Sequence, residues 1–256
     1  MNILLVNEQG CFAPGVITLA KALSARHRVV IVAPLHPQIK SGHRLTTSAY
    51  PLRVRQYFVL NKIKIFSVNG TPCDCVTLAL DKILHSKPDL IISGISDYNN
   101  RGEFIYSSGV VSSAVEGTIQ GIPSISVSGK VRNTADEKAF ARIAHAFVKN
   151  LPFFMKHMPQ HTTLNVNYPE KFSAHKIVCT HLTTGLVGSE YRHEVNPFGN
   201  QFYWLKHSLK GYPISVFEQK GDIYWLKKGF ITVTPLKLLL TNFDAIPVVE
   251  GGGITL

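Results

Sequence analysis

The stretch that decides the fold is residues 1–15, MNILLVNEQGCFAPG. The apolar run Ile3–Val6 predicts a buried strand, and Val16–Ser24 predicts the helix that follows it. Between them lies the short polar turn Asn7–Gly10, in which Glu8 is the only charged residue. A parallel strand, a tight turn and a helix N-terminus together are typical of a site for a phosphate or a metal ion.

Strand and helix signals alternate through the first half of the chain. Further strands are predicted at Arg28–Pro34, Lys62–Val68, Asp89–Gly94 and Ser124–Val127, and further helices at Cys73–His85, Val110–Gln120 and Ala135–Asn150. Continuous apolar strands between helices indicate a parallel sheet that is covered on both faces. The sequence therefore predicts a doubly wound α/β fold, whose ligands bind at the carboxyl ends of the strands.

After about residue 160 the chain has a different character. The segments Phe202–Lys206 and Pro213–Phe217 predict the two aromatic-rich arms of a long hairpin. Such a hairpin either reaches across to a second subunit or folds back on its own domain, and the pattern does not choose between them. Shorter strands are predicted at Thr162–Val166, Lys176–Thr180 and Gly229–Thr234.

Composition places the chain among globular proteins with one substantial core, because 45% of its 256 residues are apolar. The net charge is +11 and the pI is near 9.5, which suits acidic partners such as nucleotides, nucleic acid, polyphosphate or a membrane surface. The basic residues are scattered, however, with no run of five or more. A general basic bias of composition therefore explains the charge equally well.

Cysteine usage and hydropathy predict a cytoplasmic protein. The four cysteines do not form a disulfide framework in a chain of this length, and Cys73-Asp74-Cys75 is too tight for a usual zinc pair, so we expect reduced thiols. No apolar run reaches ~18 residues, which predicts no membrane span. The start of the chain lacks the charged segment and the long apolar segment of a signal peptide.

Four loops follow the predicted core strands, and we expect them to converge at one edge of the sheet. They are Asn7–Gly10, Pro34–Thr46, Ser93–Asn100 and Ser107–Gly109. The last loop begins a helix, and its Ser108-Gly109 pair predicts a phosphate cradle because glycine lets backbone N–H groups approach an anion. The same pair is also an ordinary helix N-cap, so the motif alone leaves both interpretations open.

Short blocks of sequence occur along nearly the whole chain in the order of one known family. The blocks are Asn7–Gly15, Val32–Pro34, Gly42–Thr46, Gly70–Val76, Pro88–Leu90, Ser93–Ile95, Ser108–Gly109, Glu116–Gly117, Gly121–Pro123, Leu164–Pro169, Asn196–Asn200, Tyr203–Trp204 and Gly229–Leu236. Through them the chain resembles SurE, the stationary-phase survival proteins, which are metal-dependent nucleoside-monophosphate phosphatases.

The resemblance implies a Rossmann-like three-layer core with a mostly parallel sheet. It also implies a C-terminal β-hairpin that is exchanged between the subunits of a homodimer, often paired into a tetramer. The chain would form one domain over residues 1–256, with a core of about 1–160 plus the late strands and a hairpin extension of about 185–225.

The activity that the resemblance implies is hydrolysis of nucleoside 5'- and 3'-monophosphates. The family holds one divalent Mg or Mn ion with two adjacent aspartates, a serine and an asparagine. Such an ion would hold the phosphate and activate water for attack on phosphorus.

This chain departs from the family at all four ligand positions. The two aspartates fall on Glu8 and Gln9, the serine falls on Ile39, and the asparagine falls on Ser96. Ser41 and Asp97 are nearby residues that could substitute for the lost ligands. Transferred residue by residue, the resemblance implies Glu8 and Gln9 as catalytic residues, Glu8, Gln9 and Ser96 as metal ligands, and Asn7, Ser108 and Gly109 as phosphate-binding residues.

We therefore expect a SurE-like phosphatase with weakened catalysis, because hard cations bind through charged oxygens and only one carboxylate remains at the ligand positions. The alternative is a degenerate member that binds phosphate, a nucleotide or a protein partner without catalysis. Nucleic-acid binding is disfavoured because the chain has no basic helix, recognised motif or alternation of basic and aromatic residues.

Overall fold

A computed structural model describes residues 1–46, 50–59, 63–184, 188–208, 220–238 and 240–247. The strands are β1 (Asn2–Val6), β2 (Arg28–Pro34), β3 (Val54–Val59), β4 (Ile63–Val68), β5 (Leu90–Ser96), β6 (Ser124–Gly129), β7 (Thr162–Tyr168), β8 (Ile177–Cys179), β9 (Gly188–Val195), β10 (Gln201–Ser208) and β11 (Ile231–Lys237). The α-helices are α1 (Pro14–Ser24), α2 (Pro72–Leu78), α3 (Gly109–Ile119), α4 (Glu137–His157) and α5 (Asp222–Lys227).

Among the described residues, nine strands form one mixed sheet in the order β3-β4-β2-β1-β5-β6-β7-β11-β8. Neighbouring strands from β4 through β7 are parallel, whereas β3 is antiparallel to β4 and β11 is antiparallel to β7. The predicted α/β fold with a mostly parallel sheet is confirmed. The strand order changes direction between β1 and β5, and such a switch point is where open α/β sheets bind ligands.

The sheet is covered on both faces, which explains why β1 is apolar throughout. Leu5 packs on one face, in a cluster that includes Leu19 of α1 and Phe147 of α4. Leu4 packs on the other face, in a cluster that includes Val76 of α2. Successive side chains of a strand point to opposite faces, so a strand between two helical layers must be apolar at every position.

The start of α1 positions the turn that follows β1. Pro14 opens the helix where its missing N–H costs no hydrogen bond. A Cβ atom on Gly15 would lie 2.2 Å from the carbonyl oxygen of Ile95, so only glycine permits this contact between α1 and β5. The close approach brings the turn Asn7–Gly10 beside the loop that follows β5.

Two helices differ from the sequence prediction. The segment predicted as one helix, Cys73–His85, is α2 followed by the π-helical turn Ala79–Ile83. The helix predicted to end at Asn150 continues through Pro152 to the end of α4. Buried Phe154 explains this extension, because apolar burial offsets the backbone hydrogen bond that proline lacks. None of the helices in the described ranges combines the length and the apolar character that crossing a membrane requires.

Two strands, β3 and β9, were not predicted from the sequence. Both carry charged residues where a core strand would be apolar, as in Arg55 of β3 and Glu190 and Arg192 of β9. β3 lies at the edge of the sheet and β9 lies in a separate hairpin, so neither strand is covered on both sides. Charged residues on edge strands also discourage pairing with other chains.

β9 and β10 form the hairpin, a separate two-stranded antiparallel sheet. The predicted arm Phe202–Lys206 lies within β10, and its partner among the described residues is β9. The other predicted arm, Pro213–Phe217, lies outside the described residues. The turn is closed by Asn196, whose Oδ1 accepts hydrogen bonds from the N–H groups of Phe198 and Asn200, each at 3.0 Å.

Candidate functional site

The loops at the carboxyl ends of β1, β2 and β5 meet beside the start of α3. The hydrogen bonds that join them are Gln38 N–H to the carbonyl of Glu8 at 2.7 Å, Gly42 N–H to the carbonyl of Ser107 at 3.1 Å, and the Gln9 amide to Asp97. These three bonds link all four loops that were expected to converge. The candidate site is therefore a single cleft at the switch point of the sheet.

Glu8 is the centre of this cleft, and its side chain is fully buried. Its Oε1 accepts a hydrogen bond from the Tyr98 hydroxyl at 2.5 Å and a longer one from the Ser96 hydroxyl at 3.4 Å. Its Oε2 accepts the N–H of Gly109 at 2.9 Å, and the N–H of Val110 also donates to the carboxylate. Burial raises the pKa of Glu8, and these hydrogen bonds oppose the rise.

The start of α3 therefore already holds an anion, the carboxylate of Glu8. Ser108 caps the helix, with its Oγ accepting the N–H of Val111 at 3.1 Å. The Gly109 N–H that would meet a phosphate donates instead to Glu8. In this conformation an incoming phosphate would have to displace a buried carboxylate, and two anions at one helix terminus repel each other.

Gln9 and Asp97 are paired across the cleft. The Gln9 amide nitrogen donates a hydrogen bond to Oδ1 of Asp97. Burial raises the pKa of Asp97, while its own backbone N–H and the Gln9 amide act in the opposite direction. Gln9, which occupies the position of the second family aspartate, therefore contacts Asp97, the acid that could substitute for it.

Asn7 is buried and shapes the turn. Its Oδ1 accepts the backbone N–H of Gln9 at 2.7 Å, which is a typical asparagine turn. Its Nδ2 has no hydrogen-bond partner in the part of the chain that the structure describes. Asn7 therefore keeps one unsatisfied donor at the carboxyl end of β1.

Ile39, at the expected position of the family serine, is exposed, whereas Ser41, its possible substitute, has a buried hydroxyl. Ile39 is 49% exposed and offers no ligand oxygen. The Ser41 Oγ is buried without a hydrogen-bond partner among the described residues. A Cβ atom on Gly109 would lie 2.8 Å from this Oγ and 3.0 Å from Oε2 of Glu8, so both side chains crowd the first residue of α3.

The donor set does not fit the divalent-ion site that the resemblance implies. A carboxylate has about four lone-pair directions, and four donors already approach Glu8. The Gln9 amide nitrogen donates to Asp97, so Gln9 could offer a cation only its neutral carbonyl oxygen. Within the described ranges, no group of three or more His, Cys, Asp or Glu side chains could hold a metal ion.

A cavity of about 620 Å³ opens beside this cleft. It is lined by four basic side chains, Lys40, Arg101, Lys130 and Arg132, together with Ser108 at the start of α3 and the acid Asp97. Sequence reasoning missed these basic residues because they are scattered over about ninety positions. The local signals were that Lys40 lies in the predicted loop Pro34–Thr46, that Arg101 directly follows the loop Ser93–Asn100, and that Lys130 directly follows β6.

The fold and the cleft define a doubly wound α/β protein with a cleft at the switch point of its sheet, where proteins of this class bind ligands. The family model described as Survival protein SurE matches residues 3–189. The chain belongs to the SurE family, which confirms the resemblance seen in the sequence blocks.

Relatives in this family are similar over nearly their full length. The 5'-nucleotidase SurE of Fervidobacterium nodosum is 36% identical over 259 residues, covering 98% of this chain and 96% of the relative. That of Geobacter sulfurreducens is 36% identical over 255 residues, covering 98% and 93%. The crystal structure of the SurE protein from Aquifex aeolicus superimposes with a TM-score of 0.77 at 34% identity, covering 98% of this chain and 99% of that one.

Proposed function

We propose that this chain is a SurE-family phosphatase that binds nucleoside monophosphates at the strand-end cleft and hydrolyses them with weakened catalysis. The observation that carries the proposal is full-length similarity to relatives that are named 5'-nucleotidase SurE. The single cleft formed by the four loops supports a substrate site at the same place.

The weakening is argued from the residues at the centre of the cleft. Attack of water on a phosphate monoester requires stabilisation of negative charge on the transferred group. In the family a Mg or Mn ion would supply it, but Glu8, Gln9 and Ser96 are committed to one another or to neighbouring groups. Glu8 and Gln9 remain our proposed catalytic residues, and they act with less charge than a pair of aspartates.

The phosphate side of the cleft is proposed to include Asn7 and Ser108, and Gly109 would join them only if its N–H were released from Glu8. Ser108 lines the cavity where a phosphate would enter. Asn7 holds the shape of the turn, and its Nδ2, which has no partner among the described residues, offers a donor to an anion.

The test is release of phosphate from a panel of nucleoside 5'- and 3'-monophosphates by the purified chain, with Mn²⁺, with Mg²⁺ and with a chelator. The Fervidobacterium nodosum relative serves as the reference. We expect measurable release, with kcat/KM at least about tenfold lower than that of the reference, a difference of about 1.4 kcal/mol in transition-state stabilisation. A rate equal to the reference contradicts the weakening, and no release with any nucleotide contradicts the catalytic proposal.

One observation favours a second candidate, a family member that binds phosphate, a nucleotide or a protein partner without turning it over. The Glu8 carboxylate is saturated by donors and occupies the start of α3, so the groups that would act on a phosphate are engaged within the protein. Binding of AMP, measured by calorimetry, without release of phosphate would establish this second function.

We also propose that the chain is a single domain and that its hairpin packs against a second copy in a homodimer, which can pair into a tetramer. Large side chains are exposed on both faces of the hairpin, including Tyr191 at 61%, Tyr203 at 60% and Trp204 at 57%. A two-stranded hairpin is marginal by itself, and exposed apolar area of this kind marks an interface. Sedimentation analysis should show a dimer or tetramer that dissociates in Tyr191→Glu/Tyr203→Glu, and a monomeric natural chain would contradict the proposal.

A further inference from the structure

The cavity beside the cleft is strongly basic. Of its described lining residues, four are cationic, whereas Asp97 is the one carboxylate. Asp97 accepts the amide of Gln9 and is not paired with any of the four cations. The cavity thus presents excess positive charge beside the start of α3.

The four cations differ in how far they are neutralised. Lys130 and Arg132 share one acid, Glu170, at 3.8 Å and 2.8 Å. Lys40 and Arg101 form no ion pair with any described residue. As far as the described residues go, Lys40 and Arg101 are therefore available to an anion without breaking an ion pair.

Arg101 is the stronger candidate of the two to bind an anion, because its side chain is partly buried. The charge of Asp222 acts on it, and the Asp222 carboxylate already accepts the N–H groups of Gly102, Thr183 and Ile223 and the hydroxyl of Thr183. Burial lowers the pKa of the Arg101 guanidinium, and the charge of Asp222 opposes this. A partly desolvated guanidinium is stabilised by an anion that enters the cavity.

We propose that the phosphate group binds in this cavity, which Ser108 lines, and not on the N–H groups of Gly109 and Val110 at the start of α3. Arg101 and Lys40 would hold the dianion, and Lys130 and Arg132 would supply further positive charge. The inference rests on the proposed function, since it takes a nucleoside monophosphate as the ligand, and it adds the position and the residues that bind the phosphate.

Two observations support binding of the phosphate in the cavity and not at the start of α3. The Glu8 carboxylate fills the start of α3, so a phosphate placed there would meet a negative charge held by four donors. The cavity has room for a whole nucleotide, since about 620 Å³ lies within the usual range of ligand pockets. Apolar walls from Ile39 and Val131 would border the nucleoside. Arginine pairs with phosphate through two parallel N–H groups, which suits Arg101 as the main contact.

The test is the affinity of the full chain for AMP, measured by calorimetry in a chelating buffer so that binding is separated from turnover. Adenosine and inorganic phosphate are the companion probes. We expect Arg101→Gln to weaken AMP binding at least about tenfold and Lys40→Gln at least about threefold, with adenosine affinity unchanged, because the lost charge contacts only the phosphate. Lys64→Gln is the matched control, since it removes one exposed charge on β4 and should change nothing.

Phosphate binding at the start of α3 is the competing possibility, and Glu8→Asp tests it because this variant shortens the carboxylate that occupies that position. If the phosphate binds in the cavity, AMP affinity should change less than about threefold. Tenfold tighter binding in Glu8→Asp, unchanged AMP affinity in Lys40→Gln/Arg101→Gln, or no AMP binding by the natural chain would each overturn the inference. Thermal unfolding verifies that Arg101→Gln folds, and if it does not, Lys40→Gln alone decides. Phosphate release is measured separately, so failure of hydrolysis with intact binding contradicts only the proposed catalysis.

Discussion

The start of α3 and the basic cavity beside it are both suited to an anion, but only one of them is free to take it. At the start of α3 the donors are neutral N–H and hydroxyl groups, and the carboxylate of Glu8 already accepts them. In the cavity the donors are four cations, and Lys40 and Arg101 have no ion-pair partner among the described residues. The difference teaches that a phosphate-binding motif can persist in a sequence while its donors are used within the protein.

The largest expected effect comes from restoring the family ligands at all four positions. We expect Glu8→Asp/Gln9→Asp/Ile39→Ser/Ser96→Asn to raise Mn²⁺-dependent kcat/KM about 100-fold or more, since shorter, paired carboxylates free the start of α3 and create a cation site. Phosphate release from AMP measures the change, with Glu8→Asp alone as the control. Equal activity before and after would mean that the filled start of α3 does not limit catalysis.

Crowding at the start of α3 should appear as a loss of stability in Gly109→Ala. The new Cβ atom would meet Ser41, Glu8 and Pro72 at 2.8–3.0 Å. We expect unfolding to become easier by about 2 kcal/mol despite the better helix propensity of alanine. Urea denaturation measures the change, and an unchanged midpoint would show that Glu8 moves away at little cost.

Removing one donor from Glu8 should have a somewhat smaller effect. Burial raises the pKa of the Tyr98 phenol, so it stays protonated and donates to the carboxylate at 2.5 Å. We expect Tyr98→Phe to lower the free energy of unfolding by about 1.5 kcal/mol, the range for hydrogen bonds to charged groups. Tyr106→Phe is the matched control because Tyr106 is 69% exposed, and an equal loss in both variants would refute the role of this bond.

The charge of Glu8 should also appear in the pH dependence of stability. Burial raises its pKa in the folded state above the unfolded value of 4.5, so the folded state binds the proton more tightly. The contribution to stability is therefore full below that value and is lost as the pH rises through the folded pKa. Denaturant curves should show the stability of the natural chain relative to Glu8→Gln falling from acid to neutral pH. A constant difference would contradict the shift.

The smallest effect is expected within the cavity itself, at Lys130. This residue already faces Glu170 at 3.8 Å, so its charge is partly neutralised before an anion arrives. We expect Lys130→Gln to weaken AMP binding less than about threefold, and less than Lys40→Gln does. Calorimetry compares the AMP affinities of Lys130→Gln and Lys40→Gln. Weaker binding by Lys130→Gln than by Lys40→Gln would indicate that Glu170 does not screen the charge of Lys130.

Much of the fold could be predicted because apolar periodicity reports burial. The strand Arg28–Pro34 matches the structure at both ends, and the other core strands and helices shift by a few residues. Edge strand β3 and hairpin strand β9 escaped prediction because exposed strands lack that periodicity. The predicted helix ended at Asn150, yet tertiary burial of Phe154 carried α4 through Pro152 to His157.

The sequence by itself determined the fold class and the family, because these depend on residue type and order. Only the tertiary structure decided what the remaining groups do. Glu8 meets Tyr98 and Gly109 across 90 and 101 positions of sequence, and the four cations of the cavity come from three loops, which follow β2, β5 and β6. Hydrogen bonding and charge act over a few ångströms of space, and chain folding sets those distances.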